Sequence, residues 1–110
     1  MIFDKKDNIT IITQEKATVI ELTKKLEVLY ERFKNDNVII NLTSLKPILL
    51  QDIVEFLQLS NKHRAEKHSF VIVTQSTNLE AVPDEIIVVP SLQEAYDIIE
   101  MEDIERDLGF

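Results

Sequence analysis

The chain contains no cysteine and a single glycine, Gly109, among its 110 residues, and has two histidines and three prolines. Without cysteine there is neither a disulfide framework nor a thiolate metal site, which fits a reducing compartment and gives a cytoplasmic expectation. Phosphate-cradling loops need glycines so that backbone can approach the anion closely. One glycine at the extreme end therefore excludes a P-loop or dinucleotide fingerprint. So little glycine and proline also leaves scant room for linkers or disorder, and one domain spanning 1–110 is expected. No apolar run approaches the roughly 18 residues of a membrane span, and the opening MIFDKKD has no apolar core of a signal peptide.

Basic charge is also scarce. Net charge is −8, and a phosphate backbone would be repelled, so direct nucleic-acid binding is not expected. The acidity is concentrated at one end. From Glu94 to Phe110 stand Glu94, Asp97, Glu100, Glu102, Asp103, Glu105 and Asp107 against Arg106 alone. Such a run reads as a solvated helix face or as an acidic docking surface, in the second case together with Phe110.

Catalytic groups are equally thin. His63 and His68 are five apart at the basic end of a helix, where four would put them on one face, and they read as surface side chains. Neither an HExxH nor a GxSxG pattern is present. Glu102 with Asp103, and Glu105 with Asp107, splay around a helix and cannot act as an acid–base pair. Thr43, Ser44, Ser76 and Thr77 follow strands, where α/β proteins gather ligand sites, yet as turn and capping side chains they need no ligand. No catalytic residue, metal or cofactor is expected.

The pattern that is present alternates strands with helices. Met1–Thr13 reads as a hairpin turning through Asp4–Asn8. Thr18-Val19-Ile20-Glu21 is a capping box, and Val19, Leu22, Leu26, Leu29, Tyr30 and Phe33 recur at helical spacing until Asn35-Asp36-Asn37 stops them. Val38–Leu42 lacks alternation, as a strand covered on both faces should. A second helix is expected from Leu49 or Leu50 to Lys67, its inner stripe being Leu49, Ile53, Phe56, Leu57 and Ser60. Ser69–Val73 is a buried strand, and Gln75–Asp84 a loop with one helical turn. Glu85–Val89 is the last strand, and the box Ser91–Glu94 opens a helix traced by Leu92, Ala95, Ile98, Ile99 and Glu102. Ile104 and Leu108 either continue that helix or pack as a separate tail. The expectation is an α/β fold in the order β-β-α-β-α-β-β-α, with a mixed, mainly parallel sheet of four to five strands and three main helices.

This order, with VIINLTSL, SFVIV and VVPSLQEAYDII at its landmarks, resembles the STAS domain of anti-sigma factor antagonists across nearly the whole chain. Asn41-Leu42-Thr43 matches the Asp-Leu-Ser that ends that family's central strand, and Ser91, Glu94 and Ala95 match its closing motif. The resemblance implies a non-enzymatic regulatory module that binds a protein partner, such as an anti-sigma-like kinase, as a monomer or weak dimer. The contact loop and helix start it implies contain Thr43, Ser44, Leu49, Leu50, Gln51 and Asp52. The family's phosphorylated Asp-Ser switch should fall near Leu49-Leu50, which offers no hydroxyl. Binding without phosphorylation control at that position is the consequence.

The chain, above all its ending EMEDIERDLGF, is also similar to small bacterial proteins that carry a ribonuclease Z label. That nuclease family holds zinc through an HxHxDH motif in a much larger fold, and two separated histidines cannot supply it. This similarity implies an accessory role beside ribonuclease Z rather than nuclease activity.

Overall fold

The computed structural model describes residues 1–45, 47–75 and 81–109. Five strands form one sheet in the order β1 (Ile2–Lys6), β2 (Ile9–Thr13), β3 (Asn37–Asn41), β4 (Phe70–Val73) and β5 (Ile87–Val89). β1 is antiparallel to β2, and every other neighbouring pair is parallel. Asp4–Lys6 belong to β1, so the hairpin turns on Asp7-Asn8 alone and is tighter than expected. Asp7 takes the left-handed φ of 56° that such a turn demands, which a short polar side chain tolerates.

The central strands carry two cores. Ile12, Val38, Ile40, Phe70 and Ile72 face one way, while Ile39, Val71 and Val73 face the other. On the first face lie α1 (Val19–Leu29), a 3₁₀ turn (Tyr30–Arg32), α2 (Leu50–Val54) and α3 (Leu57–Ala65). α4 (Leu92–Asp107) covers the second face, burying Ala95 and Ile99. A strand sandwiched between two layers has no polar side to show, hence the unbroken run Val38-Ile39-Ile40.

The helices begin where their caps say. The Thr18 hydroxyl accepts the Glu21 amide at 3.1 Å, and the Ser91 hydroxyl accepts that of Glu94 at 3.2 Å. One continuous second helix is not what forms. The ladder is interrupted at Glu55-Phe56, where the Phe56 amide reaches back only three residues to the Ile53 carbonyl (3.0 Å). Ile53 and Phe56 are both fully buried, and the tighter turn brings them to one face. The inner stripe is then Ile53, Phe56, Leu59, Ser60 and His63. Leu49 stays outside it, half exposed, and Leu57 is only partly buried. Of the Gln75–Asp84 loop, Ser76 to Glu80 lie outside the described residues, Thr77 and Leu79 among them.

α4 runs back along the sheet from the end of β5 to the starts of β3 and β4. It continues to Asp107, which settles Ile104 and Leu108 as outer positions of that helix and its cap. Gly109, at φ 81°, then closes it, donating its amide to the Arg106 carbonyl at 3.1 Å.

Candidate functional site

The loop after β3 is organised by Asn41. Its side-chain oxygen accepts both the Thr43 amide (3.1 Å) and the Thr43 hydroxyl (2.8 Å), a local turn that continues with the Leu45 amide on the Leu42 carbonyl (3.0 Å). Leu42 and Ile48 are buried and pin the loop at both ends, leaving Thr43 and Ser44 exposed between them. α2 then starts at Leu50. Asp52 turns its carboxylate back onto the Leu49 amide (2.9 Å), so its half-buried side chain is committed to the helix start. Gln51 is exposed.

On the outer side of α2, Leu49, Leu50 and Val54 are exposed by 50%, 40% and 42%. Three large aliphatic side chains within six positions of each other form a surface patch whose burial by a partner would be favourable. Beside it a cleft of about 230 Å³ runs between this loop and the approach to α1, lined by Ala17, Thr18, Val19, Leu45, Pro47 and Ile48 along with Asp52. Ala17 holds a φ of 74° there, a left-handed conformation rare for a residue with a Cβ. The six residues expected at a contact site therefore divide into three roles. Leu49, Leu50 and Gln51 are free to touch a partner, Thr43 and Ser44 rim the loop, and Asp52 caps.

The Thr43 hydroxyl donates to an amide oxygen, not to a base, and among the described residues no three His, Cys, Asp or Glu converge as metal ligands. The surface reading of His63 is overturned. Its ring is fully buried between α3, the 3₁₀ turn and β4, with Tyr30, Phe33, His68 and Phe70 around it. Nε2 lies 2.7 Å from the Asp36 carbonyl, which can only accept, so this nitrogen carries the proton. Nδ1 is then the acceptor, taking the Tyr30 hydroxyl at 2.9 Å. Both ring nitrogens are satisfied in the neutral form. His63 stands three residues beyond Ser60 on the inner face of α3, a spacing that could have placed it inside.

Burial holds the His63 imidazole below its ordinary pKa, and the neighbouring His68 acts in the same direction, against the Asp36 carbonyl and carboxylate. A depressed imidazole contributes full stability above its unfolded pKa. That contribution is lost as pH falls through the unfolded value towards the folded one, because only the unfolded chain takes up the proton. Urea unfolding at about pH 7.5 and about pH 5.5 is expected to show a lower midpoint at the acid end, with the difference reduced in His63→Gln. An unchanged difference in His63→Gln would assign the acid sensitivity elsewhere.

A second polar cluster, with no periodic signature in the sequence, fixes the end of α4. Ser69, fully buried, donates its hydroxyl to Glu102 (2.6 Å), which also pairs with Arg64 (3.1 Å). Asp103 takes Arg106 (2.6 Å) and the side-chain amides of Asn37 and Asn8 (both 3.2 Å). Burial works to raise the Asp103 carboxyl, but the hydrogen bonds from Arg106, Asn8 and Asn37 outweigh it and hold the group below the usual range. Glu102 and Asp103 do splay to separate partners, yet both point at the protein.

Sequence comparison finds no family model and no curated protein that matches the chain. Among the described residues no helix is long and apolar enough to cross a membrane.

Proposed function

We propose that this chain is a STAS-like, non-enzymatic interaction module of the cytoplasm that binds a protein partner through the Thr43–Asp52 segment and the outer face of α2. One observation carries the reading: the exposed apolar group Leu49, Leu50 and Val54 at the helix start that follows the central strand. The five-stranded mixed sheet and its order of elements support it. No hydroxyl stands at Leu49 or Leu50, so this contact lacks a phosphate switch at that point.

Anti-sigma-type kinases and ribonuclease Z are the partner classes to present to purified protein in a titration of wild type against Leu50→Asp. A charge in the centre of an apolar contact is expected to weaken binding by about tenfold or more, with thermal stability nearly unchanged because Leu50 is partly exposed already. Equal binding by Leu50→Asp would move the contact elsewhere. A stoichiometric phosphate on Thr43 or Ser44 after kinase treatment, accompanied by release of the partner, would overturn the unswitched reading.

A further inference from the structure

The outer side of α4 carries a second apolar stripe, on the sheet face opposite α2. Met101, Ile104 and Leu108 are exposed by 51%, 52% and 67%, and their spacing of three and four puts them in one row. On a helical projection Glu100 and Asp107 border the row on one side and Glu105 on the other, all exposed. The only cation of this helix is withdrawn. Arg106 points inward to Asp103 (2.6 Å), the Ser69 hydroxyl (3.0 Å) and the Asn37 oxygen (3.3 Å). The acid-rich run is thus an aliphatic row between rails of carboxylates, with no exposed base of its own.

A cleft of about 330 Å³ opens alongside this row. Ile9, Tyr96 and Ile99 contribute its apolar lining, Glu100 and Asp107 border it, and a third carboxylate there, Asp103, is already paired with Arg106. An aliphatic stem could lie on that lining while a terminal cation meets the two carboxylates, as lysine and arginine side chains do at apolar surfaces.

From this geometry we infer that the outer face of α4 docks a basic amphipathic helix of a partner protein, whose leucine-type side chains cover Met101, Ile104 and Leu108 while its lysines or arginines meet Glu100, Glu105 and Asp107. Charge decides against a second copy of this chain. Two such faces would oppose carboxylates to carboxylates with no exposed cation of α4 between them, and Lys6 of β1, which lies 5.6 Å over the Tyr96 ring, stands on the flank of the cleft and not within the row. A basic helix answers both features of the surface, and charge sets orientation and encounter rate while the apolar row supplies contact area. This contact is independent of the α2 site, so one domain presents two partner surfaces on opposite faces of its sheet.

The test uses the full chain and a fluorescein-labelled synthetic helix of leucine and lysine, with leucines at spacings of three and four. A scrambled peptide of the same composition and a leucine–glutamate version are the comparisons, read by anisotropy at about 0.15 M salt. Wild type is expected to bind the leucine–lysine helix at least about tenfold more tightly than the scrambled peptide, and the glutamate version not at all. The triple variant Met101→Ser, Ile104→Ser, Leu108→Ser should lose about tenfold, and Glu100→Gln with Asp107→Gln should lose affinity and salt dependence together. Leu50→Asp should bind the peptide like wild type, which separates this surface from the α2 contact. Equal binding of helix and scramble, or an unaffected triple variant, would reduce the effect to net charge and overturn the inference. So would light scattering that shows a wild-type dimer dissociated by Ile104→Arg, since the row would then be covered by a second copy.

Discussion

Truncating Phe70 to alanine is expected to destabilise the domain by about 3–5 kcal/mol, the range for removing a buried aromatic ring and leaving its space unfilled. Phe70 opens β4, is fully buried and stands opposite Val38 in the parallel register. Its ring lies 6.3 Å from that of Phe56 and 6.2 Å from that of His63, so it fills the layer between the sheet and the α2–α3 break. Loss of the ring would leave a cavity under that break and beside the His63 hydrogen bonds. Domains of this size are stable by only about 5–15 kcal/mol, and the variant should sit near the edge of folding at room temperature. Urea unfolding is the measurement, with Val28→Ala as its control. Val28 is 82% exposed, and its truncation should stay within about 0.5 kcal/mol of wild type. A Phe70→Ala loss below about 1.5 kcal/mol would mean that the cavity collapses, or that the ring is not in the core.

Why Phe70 was legible as core and His63 was not shows where sequence reasoning stops. Val38-Ile39-Ile40 and Phe70-Val71-Ile72-Val73 are continuous apolar runs, and a run with no polar alternation has one economical explanation, a strand buried on both faces. Both capping boxes mark true helix starts because their hydrogen bonds are local, between residues three apart. The loop after β3 is held by a contact of the same local kind, the Thr43 amide on the Asn41 side chain two residues earlier. His63 differs. Its spacing from Ser60 puts it on the inner face, but the partners that let a polar ring stay there, a tyrosine 33 residues earlier and a carbonyl 27 residues earlier, are ones that no window of sequence brings together. The break at Glu55-Phe56 is likewise a packing outcome. Nothing in the composition of that segment forbids a continuous helix, and the docking of Ile53 and Phe56 on the sheet decides it. Arg106 shows the same limit at the other end of the chain. Amid acids it reads as one more solvated charge, whereas its partners Asn37 and Ser69 lie 69 and 37 residues away.

Asn37 is where the second large effect is expected. Its side-chain oxygen accepts the buried Ser69 amide at 2.8 Å and faces Arg106 at 3.3 Å, and its amide nitrogen donates to both Asp103 oxygens. Read from sequence, Asn37 merely helps to end a helix; in the fold it is the first residue of β3 and joins three elements. Asn37→Ala strands the Ser69 amide and removes a donor from Asp103. A stranded buried amide alone costs roughly 1–3 kcal/mol, and with the weakened carboxylate site the loss should reach about 2–4 kcal/mol. Hydrogen exchange should quicken most in the last two turns of α4, which the cluster ties to the sheet. Asn37→Asp separates hydrogen bonding from shape. It keeps the acceptor for Ser69 and Arg106 but opposes a carboxylate to Asp103, so the pair of carboxyls holds a proton to higher pH than Asp103 does in wild type. A raised carboxyl withholds stability above its folded pKa and restores it as pH falls through that value, when the protonated oxygen again donates to Asp103. Relative to wild type, Asn37→Asp should therefore recover more stability on acidification than Asn37→Ala, whose deficit narrows only by the part that Asn37 contributes to holding the Asp103 carboxyl down. Parallel pH profiles for the two variants would show that Asn37 acts by filling space and not by donating to Asp103.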